Sequence, residues 1–98
     1  MVQAITLPRV VVTRSAAEDL IESSKLSSDE DVVKVMARGV ASSAQSFADE
    51  LVQQLIARGY HTAVLLGAPR QLTHDLTASA QRAGKISVVT SADELVAS

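Results

Sequence analysis

The chain has no cysteine and no tryptophan, and its only aromatic side chains are Phe47 and Tyr60. Without thiols, disulfides, thiolate metal sites and cysteine nucleophiles are excluded. With two aromatics, single-stranded nucleic acid would find almost nothing to stack on. A basic block is missing too. Nine Lys and Arg are interleaved with eleven Asp and Glu for a net charge of -2, so no cationic stripe exists to follow a phosphate backbone. The longest apolar run, Ala63 to Ala68, falls far short of the ~20 residues a membrane-spanning helix needs. The opening MVQAITLPRV lacks the basic start and long apolar stretch of a secretory signal. These absences lead us to expect a cytoplasmic chain with neither nucleic acid nor membrane as partner.

Catalytic constellations are equally scarce. His61 and His74 have no His-x-x-His or Glu-x-x-His company, so no metal site and no cofactor are expected. There is no Gly-x-Gly-x-x-Gly and no Walker-type loop. Gly67-Ala68-Pro69-Arg70 is too short, and proline stands where an N–H would be needed. No spacing suggests a serine, histidine and acid acting together, so the chain does not read as an enzyme.

What is present is a strong alternation of strand and helix signals over 98 residues, a length that fits one domain spanning residues 1–98. Val2 to Leu7 and Arg9 to Thr13 are β-rich pieces broken by Pro8, which marks an edge or a turn between two strands. Ser15-Ala16-Ala17-Glu18 has capping-box spacing and opens a helix with Ala17, Leu20 and Ile21 on its apolar face. The polar stretch Ser23 to Asp31 reads as a loop. Val32 to Met36 is a strand with β-branched residues on both faces, which suggests cover on both sides, interrupted by Lys34. Ala44, Phe47, Ala48, Leu51, Leu55 and Ile56 repeat at helical spacing, and Gly59 is a natural stop. A strand at Thr62 to Leu66, a helix with Leu72, Leu76, Ala80 and Ala83 inward, a strand at Ile86 to Val89 and a short helix from the Ser91-Ala92-Asp93-Glu94 box complete the order. The expected fold is α/β: a mixed, mainly parallel sheet of four to five strands flanked by helices, with right-handed crossovers.

The segment Asp31 to Gly59 carries the most information. It reads as a strand, a serine-rich turn and an amphipathic helix, so hydroxyls and backbone N–H groups gather at one helix N-terminus. Ser42, Ser43 and Ser46 each have the spacing to cap that helix, a role worth ~1 kcal/mol. One serine suffices for capping, which leaves the others for partner contact or for phosphate, a group that the positive end of a helix tolerates. Arg14, Arg38 and Arg70 each follow a strand. If the strands are parallel, all three emerge at the carboxyl edge of the sheet, where open α/β sheets bind ligands, as a shallow anion site beside Ser43.

With Val32-Val33-Lys34-Val35-Met36, the serine turn and the helix start Ser46-Phe47-Ala48-Asp49-Glu50-Leu51 in place, the chain resembles the STAS domain of anti-sigma-factor antagonists. It is most similar to small bacterial STAS-like domains. The resemblance runs from about Val10 to Val96 and includes Ile86-Ser87-Val88-Val89 and the Ser91 helix. It implies a non-enzymatic regulatory module that binds a protein partner, a GHKL-type ATPase or kinase or an anti-sigma-like regulator, through the turn and the helix after it. Ser42, Ser43, Ser46, Phe47 and Glu50 would then contact the partner. In that family a serine here is phosphorylated, which makes Ser42 and Ser43 the phosphoacceptors. The turn reads Ala41-Ser42-Ser43-Ala44 and lacks the family's preceding aspartate and following glycine. A homodimer through an unpaired sheet edge is a further expectation. The alternative function is a small anion- or ligand-binding or phosphocarrier domain, although Arg14-Ser15 supplies no Cys or His at the first strand-to-helix turn. A small-molecule hydrolase is weaker still.

Overall fold

The computed structural model describes residues 3–24 and 31–90. The central part of the expected loop, residues 25–30, and the expected helix from Ser91 lie outside the described residues. The elements run β1 Gln3–Thr6, β2 Val10–Val11, α1 Arg14–Ser24, β3 Val32–Met36, β4 Ser42–Ser43, α2 Gln45–Ala57, β5 Thr62–Leu66, α3 Arg70–Ala83 and β6 Ser87–Thr90. The strands β1, β3, β5 and β6 form one sheet in that order, and every pairing is parallel. The α/β fold with a mainly parallel sheet is therefore as expected.

The strand order is progressive, with each new strand added on the same side of the last. Crossovers of one hand then put every connecting helix on the same face. The helices do lie in one layer, because α1 packs on α2 and α2 on α3. The core is the interface between this layer and one face of the sheet. Ile5, Val33, Val35, Ala63 and Leu65 come from the sheet, and Ile21, Phe47, Leu51, Leu55, Leu72 and Leu76 from the helices, all buried. On β3, Val33 and Val35 are buried, Lys34 is exposed, and Val32 and Met36 are half-buried. The expected double cover of β3 is thus not supplied by α1, α2 or α3. Its second face is open among the described residues, and that is where Lys34 stands.

Three local signals resolve differently from their sequence reading. Thr13, not Ser15, caps α1: its Oγ1 accepts the Ala16 N–H at 3.0 Å. Ser23 and Ser24 belong to the end of α1 rather than to a loop, with both hydroxyls donating to the Leu20 carbonyl. Pro8 ends β1 and sends the chain out of the main sheet, so β2 pairs instead with β4 in a separate two-stranded sheet. The helix stops are as expected. Gly59 and Gly84 take φ of +91° and +70°, which glycine adopts without strain.

Phe47 is fully buried at the centre of the core. Phe47→Ala should lower unfolding free energy by ~3–5 kcal/mol, measured by urea titration. A loss below ~1 kcal/mol would contradict this burial.

Candidate functional site

The serine turn takes its shape from the segment before α1. Val10 pairs with Ser42 and Val11 with Ser43, in parallel register. The Ala41 and Ser42 N–H groups both donate to the Arg9 carbonyl, at 2.7 and 3.1 Å, and the Ala44 N–H donates to the Val11 carbonyl at 3.1 Å. The Ser46 hydroxyl adds a fourth tie, donating to the Val12 carbonyl at 3.1 Å.

These bonds correct the capping expectation. Ser42 and Ser43 form a short strand, Ala44 is the N-cap of α2, and no side chain caps that helix. Strand pairing competes with capping for the same residues, and here pairing takes Ser42 and Ser43. Ser46 lies inside the helix with its hydroxyl turned to β2. The expectation of three serines grouped at a helix N-terminus is therefore not met: the amides of Ser42 and Ala44 are spent on β2, not held open for an anion.

The expected partner-binding residues separate into two groups. Ser42 is exposed, and Ser43 and Ser46 are partly so. Phe47 is buried in the core and offers no contact surface. Glu50 is nearly covered, pairing with Arg14 at 3.4 Å and accepting from the Gln54 side-chain amide at 2.8 Å. The sequence reading missed Val10 and Val12, exposed at 55% and 37% on either side of buried Val11. They are two of the three large apolar side chains that stand exposed among the described residues, and Val10 is directly beside Ser42. The signal was available, since alternation along Val10-Val11-Val12 puts the outer two on one face. What it could not give was which face is solvent.

Of the three arginines, Arg14 and Arg38 stand against different neighbours. The sheet has a progressive order, so it lacks the reversal of strand order that opens a crevice at the carboxyl edge. Arg14, the first residue of α1, turns toward α2. Arg38 lies across Gly67, whose φ is +71°, so close that a Cβ there would collide with its Cγ. Arg70 is exposed at the first residue of α3.

Arg14 instead lines a cleft of about 310 Å³ together with Asp49 and Gln53 of α2 and Ser79, Arg82 and Ala83 of α3. Asp49 is its hub. The buried Ser79 hydroxyl and the Arg82 guanidinium both donate to Asp49 Oδ1, and Arg82 also donates to Ser79 at 3.2 Å. The sequence offered only half of this: Ser79 and Arg82 share a helical face at i, i+3, but Asp49 is 30 residues from Ser79. Among the described residues no group of His, Asp and Glu could hold a metal ion, and no helix is long and apolar enough to cross a membrane. Comparison with family models, curated proteins and solved structures finds no match to the chain.

Two variants test the hub. Ser79→Ala should cost ~1–2 kcal/mol in urea unfolding, since it strips a buried donor from Asp49. Arg82→Ala should cost less than ~1 kcal/mol, because Arg82 is 54% exposed and solvent screens the pair. The reverse ranking would mean that the ion pair, not the hydroxyl, holds α2 to α3.

Proposed function

We propose that this chain is a non-enzymatic, STAS-like regulatory module of the cytoplasm that binds a partner protein through the rim formed by β2, β4 and the start of α2. The observation that carries this reading is the pair Val10 and Val12, apolar and exposed, with Val10 paired to exposed Ser42 on a backbone tied by hydrogen bonds to the β4–α2 segment. Apolar side chains held on a rigid edge lose little entropy when a partner covers them, which is how small interfaces gain affinity. By the STAS resemblance the partner is a GHKL-type ATPase or kinase, or an anti-sigma-like regulator. Ser42 is the better placed phosphoacceptor, because its side chain is exposed and Ser43 is partly covered. Phosphate on Ser42 would put about two negative charges beside Val10 and oppose an apolar contact there. The second reading, a small anion- or ligand-binding domain, draws on the cleft with its Arg14 and Arg82 guanidiniums, but both already face carboxylates.

The test uses immobilised protein and lysate of the source cells. Wild type should retain a partner that Val12→Asp and Ser42→Glu lose, while Gln81→Ala, altered on the exposed side of α3, retains it. All variants should keep the wild-type circular dichroism. If Val12→Asp and Ser42→Glu hold the same proteins as wild type, the rim is not the binding surface. Incubation with lysate and ATP, followed by intact mass, should add one phosphate to wild type and none to Ser42→Ala.

A further inference from the structure

Arg14 at the head of α1 and Arg82 in the last turn of α3 reach the same cleft from the two helices that flank α2. Each guanidinium is held by a carboxylate of α2, Arg14 by Glu50 and Arg82 by Asp49. Such pairing uses only part of an arginine, which has five N–H donors. Arg14 donates from Nη1 to Glu50. Arg82 donates from Nη2 to Asp49 Oδ1 and to the Ser79 hydroxyl. No described residue accepts from Nε or Nη2 of Arg14, or from Nε or Nη1 of Arg82. Both side chains are more than half exposed, at 58% and 54%, so a solute can reach these donors.

We propose that the cleft binds a small-molecule oxyanion, a carboxylate or a phosphate, gripped between Arg14 and Arg82. This gives the second, ligand-binding reading its chemical class and its site, and it does not rest on partner binding at the rim. Arginine suits the anion because its planar fork matches both groups. The lining carries two guanidiniums against one carboxylate, Asp49, whose Oδ1 is already met by Arg82 and by the buried Ser79 hydroxyl. Glu50 and Asp49 act as positioning residues. They fix the two guanidiniums before a ligand arrives, so less side-chain entropy is lost on binding. Gln53, exposed on α2 between them, adds an amide donor. Ala83 is the one apolar side chain in the lining, which favours a polar ligand over an aromatic one. The volume of about 310 Å³ lies at the low end of the roughly 300–1,000 Å³ of ligand sites, so the ligand is small.

The probes are inorganic phosphate and succinate. Each is titrated into the isotope-labelled full chain and followed by two-dimensional NMR, with sodium chloride at matched ionic strength as the blank. At least one probe should shift the Gln53 side-chain amide and the backbone amides of Arg82 and Ala83 in a saturable way. Saturation by phosphate alone identifies a phosphate-bearing ligand, by succinate alone a carboxylate, and by both an oxyanion of either kind. Arg14→Ala and Arg82→Ala should each weaken binding roughly tenfold, the loss expected for a hydrogen bond to a charged group. Lys34→Ala removes the same charge from the opposite face of the sheet and should leave binding unchanged. Circular dichroism of all three variants should match wild type. Shifts no larger than the blank for both probes would overturn the proposal. So would wild-type affinity in both arginine variants, or an equal loss in Lys34→Ala. Retention of a partner from lysate reports on the rim alone, so failure of the cleft and failure of the rim are read separately.

Discussion

Every strand pairing in the main sheet is parallel, and the rest of the structure depends on that. Parallel neighbours cannot be joined by a tight turn. Each connection must travel back along the sheet, and here each does so through a helix. Because the strands are added in one direction, the three helices share a face and touch one another in sequence. Phe47, Leu51 and Leu55 on the middle helix are therefore buried between two helical neighbours and the sheet. The same constraint leaves the sheet without the strand-order reversal that creates a ligand crevice. The switch-point argument for an anion site at its carboxyl edge therefore does not apply to this topology.

The small β2–β4 sheet is where that architecture meets its surface. Pro8 takes the chain out of the main sheet after β1, and the next residues run beside the turn that follows β3. Val11 is buried beneath this pairing, whereas Val10 and Ser42 look outward. The rim thus sits directly on the core, tied by carbonyls of Arg9, Val11 and Val12. Rigid attachment gives the serine turn a fixed shape without any serine acting as a helix cap.

Polar side chains in the helix layer join elements rather than assemble a reactive centre. Asp49 links α2 to α3 through Ser79 and Arg82, and Glu50 links α2 to Arg14 at the head of α1. Neighbouring acids on one helix thereby hold its two flanking helices. Electrostatic attraction at such partly exposed positions is modest. The value of these pairs lies more in fixing which helix faces meet than in adding stability.

The strands Val32–Met36 and Thr62–Leu66, the amphipathic helix ending at Gly59 and the helix ending at Gly84 were legible in the sequence. Their signals are local: β-branched runs, helical spacing of Ala, Leu and Phe, and glycines that accept positive φ. Parallel pairing followed from the alternation of strands with helices. Three things were decided only by the tertiary structure. Ser42 and Ser43 pair with a segment some thirty residues earlier in the chain, and such a pairing outcompetes capping only once Val10 and Val11 are alongside. Arg14 turns to Glu50, Arg38 lies across Gly67 and Arg70 is exposed, because a side chain's partner depends on what the fold brings beside it and not on its position after a strand. Phe47, which opens a helix motif that looks like a contact surface, is turned inward because burying its ring in the core gains more than any exposed placement.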